Sequence, residues 1–428
     1  MRTARTLAVG AVALTLLAAG CSSSGDDEDT AAPGGTITVW THINKSFNKQ
    51  YEELAASYMD ENPDATIKFE TFDYDTYIQT LQTSLPAGNE ADVMQMFGSW
   101  VCSYSSNLST VPDGVMPMAD AEADFFGGPL GGYQCDDQLY GLPQESNVEY
   151  GATLVNTQVA EAASASTDGW GSYDEFMADA KAMTVTEDGE ITRAGYHFTT
   201  NDGIAYTFLS LILQNGGSYL AEDGSFTFQT PEATASMELM NSFVTEGITD
   251  PALYTDTTNW VGDCYFSELC AMGLVGPWVV PEYEADFPEV SGVTEYVALP
   301  TLENGNFAAD SGWGLTVSSN SPEQELAWDF TSYVAANADN ALQFNLNTGT
   351  LPALKDNAQG DARDELIANA AYTEPWLNIL GEAQYLGSLP DRDRLFYKII
   401  VPNVLDVMNG QKSIEDALAA IEQEANSL

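Results

Sequence analysis

Basic residues are the scarcest charged class in this 428-residue chain, with 13 Lys and Arg against 64 Asp and Glu, a formal net charge of −51. A surface so acidic repels phosphate backbones and anionic headgroups, which argues against nucleic acid and anionic membrane as partners. It also disfavours a free-standing phosphate or sulfate site, and it suits a solubility adaptation. Histidine is rarer still, limited to His42 and His197. With no cysteine pair at zinc-ribbon spacing, no metal and no cofactor are expected. Internal repeats and low-complexity runs are absent after residue 35, and the sequence holds only one long apolar run, at its start.

That run follows Arg2 and Arg5 and covers residues 7–18, too short to span a bilayer as a helix. It ends in Ala18-Ala19-Gly20-Cys21. A small-small-Cys ending resembles a bacterial lipobox, with Ala18 where leucine is usual. The resemblance implies a signal peptide over 1–20 and a lipid anchor on Cys21, facing outward from the cell membrane. Residues 21–35 (CSSSGDDEDTAAPGG) carry no apolar periodicity and read as a flexible tether. Removing 1–20 takes away two Arg and no acid, leaving 11 bases against 64 acids, a net −53. Four other cysteines remain, which allow three disulfide connectivities in an exported chain. The local one pairs Cys102 with Cys135 and Cys264 with Cys270.

Read in order, the chain opens with a βαβαβ pattern. Residues 36–40 (TITVW) alternate as a strand, and Phe47, Tyr51, Leu54, Tyr58 and Met59 recur at helical spacing until Pro63. A strand over 65–69, a helix over 74–85 and a strand over 91–97 follow. Such a start implies a doubly wound sheet whose ligand binds beyond the carboxyl ends of its strands. In residues 137–156 (DQLYGLPQESNVEYGATLVN), Pro143 cannot donate to a ladder and belongs at a strand edge or a crossing. Ser172 and Glu175 open a helix as a capping box, and Thr230 with Pro231 opens another. An apolar helix spans 205–213. A short helix over 265–269 is expected before a strand over 272–275 and a turn at Gly276-Pro277-Trp278. Ser321-Pro322-Glu323-Gln324 is expected to cap a helix directly, and the tail from 361 is helical.

Ten landmarks then stand in a fixed order. They are TVW (38–40), ADV (91–93), YGLP (140–143), GWGSYDEF (169–176), QNGG (214–217), FQTPEA (228–233), FSELCAMGLVGPW (266–278), ALP (298–300), SGWGLTVS (311–318) and GTLP (349–352). Together they resemble the extracellular solute-binding proteins of ABC importers, in the maltose-binding-protein-like, sugar-binding branch. The resemblance implies an α/β, two-lobed, periplasmic-binding-protein-like fold of type II. Each lobe would be a mainly parallel sheet flanked by helices, with crossings near 137–156, 295–300 and 347–352. Lobe 1 would comprise 36–148 and 299–347, and lobe 2 would comprise 149–298 and 348–428. One departure precedes AM, where Leu269-Cys270 replaces the family's Gly-Lys turn and suggests a disulfide there.

The same resemblance implies ligand contacts at Asn44 and Lys45, at Gly98, Ser99 and Trp100, and at Glu149, Tyr206, Trp278 and Trp313. It also implies contacts in LPDRDRLFYK, through Arg392, Arg394 and Phe396. The chemistry suits a pyranose: aromatic rings cover its C–H face while carboxylates, amides and Arg bond its hydroxyls. Trp40, Trp260 and Tyr385 divide evenly between site and core, whereas Trp170 and Trp328 read as packing. The expected function is a monomeric, lipid-anchored binding protein, not an enzyme, that delivers an oligosaccharide to an ABC transporter permease. Two rivals stand beside it. With 64 acids a secreted glycoside hydrolase could assemble a carboxylate pair. An acidic, aromatic site would also suit a cation such as a polyamine.

Overall fold

The computed structural model describes residues 33–198, 203–254, 264–280, 287–387 and 389–428. Cys21 and Trp260 therefore lie outside the described residues. Two apolar cores organise the rest, each built around its own sheet.

The first sheet has five strands. β1 (Gly35–His42) lies between β2 (Ala65–Phe72) and β3 (Val93–Phe97), and both neighbours run parallel to it. Beyond β3 come strand Trp313–Val317 and then, at the edge, strand Gly141–Pro143. Pro143 is thus on an edge strand, as its missing N–H requires. The α1 helix (Lys45–Glu61) covers this sheet with Phe47, Tyr51, Leu54 and Tyr58, the helical-period residues, all buried. The α2 helix (Tyr74–Ser84) adds Tyr77 and Leu81.

Strand Trp313–Val317 is antiparallel to both its neighbours, while the other four strands of the first sheet run the same way. In the second, strand Ala152–Asn156 is flanked by Met272–Gly273 and Thr294–Ala298, again antiparallel. Parallel bridges from Ala194 to Cys270 and from His197 to Gly273 extend it. The departure from parallel follows from chain direction. β1, β2 and β3 lead towards one edge, whereas a strand arriving from the other core starts at that edge and must run away from it.

Core membership shows where the chain crosses. Leu142 belongs to the first core and Val148 to the second. Ala309 belongs to the second and Leu315 to the first, so this return falls at Asp310-Ser311-Gly312 rather than at 295–300, which includes the last residues of strand Thr294–Ala298. Leu351 lies in the second core and Ala353 in the first. The three segments are joined to one another: strand Glu145–Ser146 pairs with Leu351–Pro352, and Asn147 bridges to Asp310.

Two local expectations fail. Residues 264–268 form turns, not a helix, because Glu268 sits at φ 59°, which a right-handed helix cannot contain. The helix after Val317 begins only at Gln324: Ser321 Oγ donates to Asp92 Oδ1 at 2.6 Å and accepts from Glu323 N at 3.2 Å, which closes a turn ahead of the helix. The other boundaries follow the capping residues. Thr230 accepts from Ala233 N with Pro231 at the first helical position, and Ser172 accepts from Glu175 N.

Candidate ligand-binding site

Because β1 and β3 run the same way, their last residues, His42 and Phe97, emerge at one edge of the sheet. Trp313 begins the antiparallel strand beside them, in register with Phe97. Helix α3 (Gly98–Tyr104) starts directly after β3 and brings Trp100 to the same edge, and Tyr74 opens α2 there. These rings form one aromatic wall. Trp313 stacks on His42 with centroids 4.3 Å apart and meets Trp100 edge-on at 5.4 Å, the two indoles nearly perpendicular at 89°. Tyr74 closes the corner, 6.4 Å from each indole and 5.9 Å from His42. Trp100, Trp313 and Phe97 are half-buried, while Tyr74 and the adjoining Ile43 are 47% and 51% exposed. An open edge of aromatic faces is what an apolar C–H surface requires. Close approach of the chains here demands glycine: a Cβ on Gly98 would lie 1.9 Å from Ser311 Oγ.

Beneath the wall lies a buried polar layer. His42 Nδ1 is 2.9 Å from Gln95 Oε1, and burial lowers the imidazole pKa to about 4, so the ring under Trp313 is neutral. Tyr51 donates to Gln144 Oε1 on the first crossing. One residue further, Glu145 Oε1 accepts the main-chain N–H of Trp313 at 3.0 Å. Burial pushes the Glu145 carboxyl up to about 7, against the opposing pull of that hydrogen bond. Glu149 is buried as well, and its Oε2 accepts Gly276 N at 3.0 Å, while Tyr296 donates to Gly276 O at 2.8 Å. Glu149 thus holds the turn that carries Trp278. The backbone of Trp278 belongs to a 3-10 turn, Pro277–Val279; its side chain lies outside the described residues.

A second cluster forms on the tail. Asp310, fully buried, accepts from Tyr206 Oη at 3.0 Å, and Arg392 Nε lies 3.3 Å from the same Oδ2. Arg392 also donates to Tyr206 Oη and Tyr397 Oη, both at 3.1 Å, with its guanidinium 4.5 Å from the Phe396 ring centre. The inward arginine is therefore Arg392, whereas Arg394 is exposed on the far side of its turn. Tyr206 and Phe396 are wholly buried and act as the bed for this ion pair rather than as exposed platforms. Helix Gly203–Gln214 is apolar nearly all round, which explains why Tyr206 points inward.

The remaining expected residues divide. Asn44 caps α1, its Oδ1 accepting from Ser46 N and Phe47 N, both at 3.1 Å, so that atom is occupied. Lys45 is exposed beside it. Ser99 is buried next to Trp100, and its Oγ has no partner within the described residues. Trp328 is core and Trp170 packs on Phe176, both as read from sequence. His42, Tyr74 and Phe97 were not singled out. Their signal was available in the rule that ligands meet the carboxyl ends of β1 and β3. Among the described residues no group of three or more His, Cys, Asp or Glu is placed to hold a metal ion.

Cys102 and Cys135 form a disulfide, tying α3 to a strand near Gly141. Cys264 and Cys270 do not; both are buried thiols. The turn between them is closed instead by main-chain bonds from Leu269 N and Cys270 N to Cys264 O, at 2.7 and 3.0 Å. Burial, first, and the neighbouring Cys264 raise the Cys270 thiol well above its ordinary range.

Two sheets, three crossings and an aromatic wall at one sheet edge define a solute-binding architecture. The chain belongs to the bacterial extracellular solute-binding protein family, whose model matches residues 44–341. Proteins of this family are exported, and they are binding proteins rather than enzymes. The galactooligosaccharide-binding protein of Bacillus subtilis is 24% identical over 388 residues, covering 85% of this chain and 83% of its own. Among solved structures, the cyclic alpha-maltosyl-1,6-maltose binding protein from Arthrobacter globiformis superposes with a TM-score of 0.77 at 20% identity, covering 92% of this chain and 99% of that one. The sugar-binding protein MalE from Xanthomonas citri gives 0.77 at 19% identity, with 92% and 97% covered. The fold is accordingly the two-lobed, type II periplasmic-binding-protein fold.

Proposed function

We propose that this protein captures a neutral oligosaccharide in a cleft between its two lobes and hands it to the permease of an ABC transporter. The observation that carries this reading is the wall of Trp100, Trp313 and Tyr74, half-buried to exposed and backed by the buried His42, at the strand ends of the first sheet. Names of similar proteins support a sugar: relatives in B. subtilis are called galactooligosaccharide- and arabinooligosaccharide-binding proteins. In this reading lobe 1 comprises 36 to about 146 and about 312–354, with Leu351 reaching into the second core, and lobe 2 comprises about 148–309 and 358–428. Asn44 and Lys45 beside β1 and Ser99 next to Trp100 supply polar groups for sugar hydroxyls, with Trp278 as a further contact from the Gly276 turn. Ligand stabilises the closed state by bridging the lobes.

A polyamine site is less well supported. Trp100 and Trp313 meet edge to face, and the buried carboxylates of the first crossing, Glu145 and Glu149, both hold main-chain N–H groups. Hydrolysis is not part of the function. Delivery occurs from the outer face of the cell membrane, where Cys21 carries the lipid and the chain acts as a monomer. Calorimetric titration against a panel of neutral oligosaccharides, with spermidine alongside, tests the reading. Saturable sugar binding without release of smaller sugars is expected; binding of spermidine alone, or hydrolysis, would overturn it. Cys21→Ser should free the protein into the medium with unchanged affinity, and retention on membranes would refute the anchor.

A further inference from the structure

Glu145 and Glu149 stand four positions apart on the first crossing, and each is buried with one carboxylate oxygen on a main-chain N–H of a different segment. Glu145 takes Trp313 N, at the head of the aromatic wall. Glu149 takes Gly276 N, at the start of the turn that carries Trp278. These donors lie on opposite sides of the crossing, since Leu315 belongs to the first core and Val275 to the second. We infer that Glu145 and Glu149 are a pair of positioning residues, through which one crossing segment sets both the Trp313 wall and the Gly276–Trp278 turn. The inference rests on the sugar-site reading for what is positioned, and it moves Glu149 from ligand contact to support.

Several further bonds make this arrangement specific. Gln144 N donates to Trp313 O at 3.0 Å, so Trp313 is held by Gln144 and Glu145 through both its main-chain groups. The Trp313 ring is fixed separately, by stacking on His42. Gly312, at φ +80°, brings the chain so close that a Cβ there would meet Glu145 O at 2.9 Å. On the other side, Tyr296 holds Gly276 O while Glu149 holds its N. A rotation of the crossing would therefore move both segments together. A carboxyl suits this task because its oxygen can accept the N–H whether the group is charged or neutral.

The two acids differ in how they can be followed. Glu145 faces Tyr51 from α1 and Tyr133 from the segment before Gly141, and Asp310 also acts on Tyr133. Burial keeps both phenols protonated throughout the neutral range, while it raises the Glu145 carboxyl to about 7.

The test uses ligand-free, nitrogen-15-labelled protein as wild type and as Glu145→Gln, Glu145→Ala, Glu149→Gln and Glu149→Ala. In wild type the Trp313 amide resonance should titrate with a midpoint near the Glu145 value of about 7. Glu145→Gln should abolish that titration but keep the resonance downfield, and Glu145→Ala should shift it upfield. Glu149→Ala should do the same to Gly276, with Glu149→Gln restoring it. A Trp313 amide that ignores pH, or Ala variants that leave both amides in place, would overturn the inference. Maltotetraose supplies the ligand arm: each Ala variant should bind it at least roughly tenfold more weakly than its Gln counterpart. A wild type that bound no maltotetraose or other sugar would count against the sugar reading, while the amide resonances would still decide the positioning roles.

Discussion

Arg392 and Asp310 are joined across the fold: Arg392 Nε lies 3.3 Å from Asp310 Oδ2, with side-chain exposures of 11% and 0%. Arg392 comes from the C-terminal tail and Asp310 from the chain's return between the cores. The pair admits a cation to the interior of a chain whose formal net charge is −51. Breaking a buried pair leaves an uncompensated charge, which costs about 3–5 kcal/mol. Arg392→Ala should lose that much in urea denaturation. Arg392→Lys should recover only part, because an ammonium cannot reach Asp310, Tyr206 and Tyr397 with one planar fork. A loss below about 1 kcal/mol in Arg392→Ala would mark the pair as an ordinary surface contact.

Glu145 gives a stability signature in pH. Its folded pKa of about 7 lies above the ordinary value of 4.5, so the folded state binds more protons between these limits. Stability from the neutral carboxyl is complete below about 4.5 and is lost as pH rises towards 7. Glu145→Gln removes this dependence, so the stability difference between variant and wild type should grow in the variant's favour by about 3 kcal/mol between pH 4.5 and 8. His42 and His197, lowered to about 4, act in the opposite sense and lose stability as pH falls from 6.5. Denaturant titrations at four pH values check the difference. A constant difference would place the carboxyl in solvent.

The cysteines yield a count. The Cys102–Cys135 bridge closes a separation of 33 residues, for which the loop-entropy estimate is about 3–4 kcal/mol. Cys102→Ser with Cys135→Ser should lower stability by about that amount. Without reductant, alkylation of a chain lacking residues 1–21 should add no group while folded and two after denaturation, at Cys264 and Cys270. Finding none after denaturation would mean a second disulfide.

Much of this was legible from residue patterns. The alternation in β1, the helical-period residues Phe47, Tyr51, Leu54 and Tyr58, and Pro143 at a sheet edge all follow from local chemistry. The positions of Trp100 after β3 and of Trp313 at the head of its strand were legible from the strand pattern around them. What was not legible depends on long-range direction. Nothing near Trp313 announces that its strand runs backwards, and nothing near Arg392 and Arg394 tells which one Asp310 will reach. Cys264 and Cys270 have suggestive spacing, yet the turn they flank is closed by its own main chain. Nothing near Glu149 announces that its Oε2 will accept Gly276 N, a donor 127 residues away in sequence.

The central claim is that Trp313 and Trp100 form a stacking platform for a neutral sugar, and calorimetric titration of Trp313→Ala and Trp100→Ala tests it most directly. Half-buried rings that stack on ligand should cost roughly 1–3 kcal/mol of binding when removed, about ten- to a hundredfold in affinity. The ligand is the best-binding oligosaccharide of the panel, and melting of the ligand-free variants is measured in parallel. The expected result is weakened binding with a melting temperature close to wild type. Unchanged affinity together with a large loss of apo stability, the signature of core tryptophans, would contradict it.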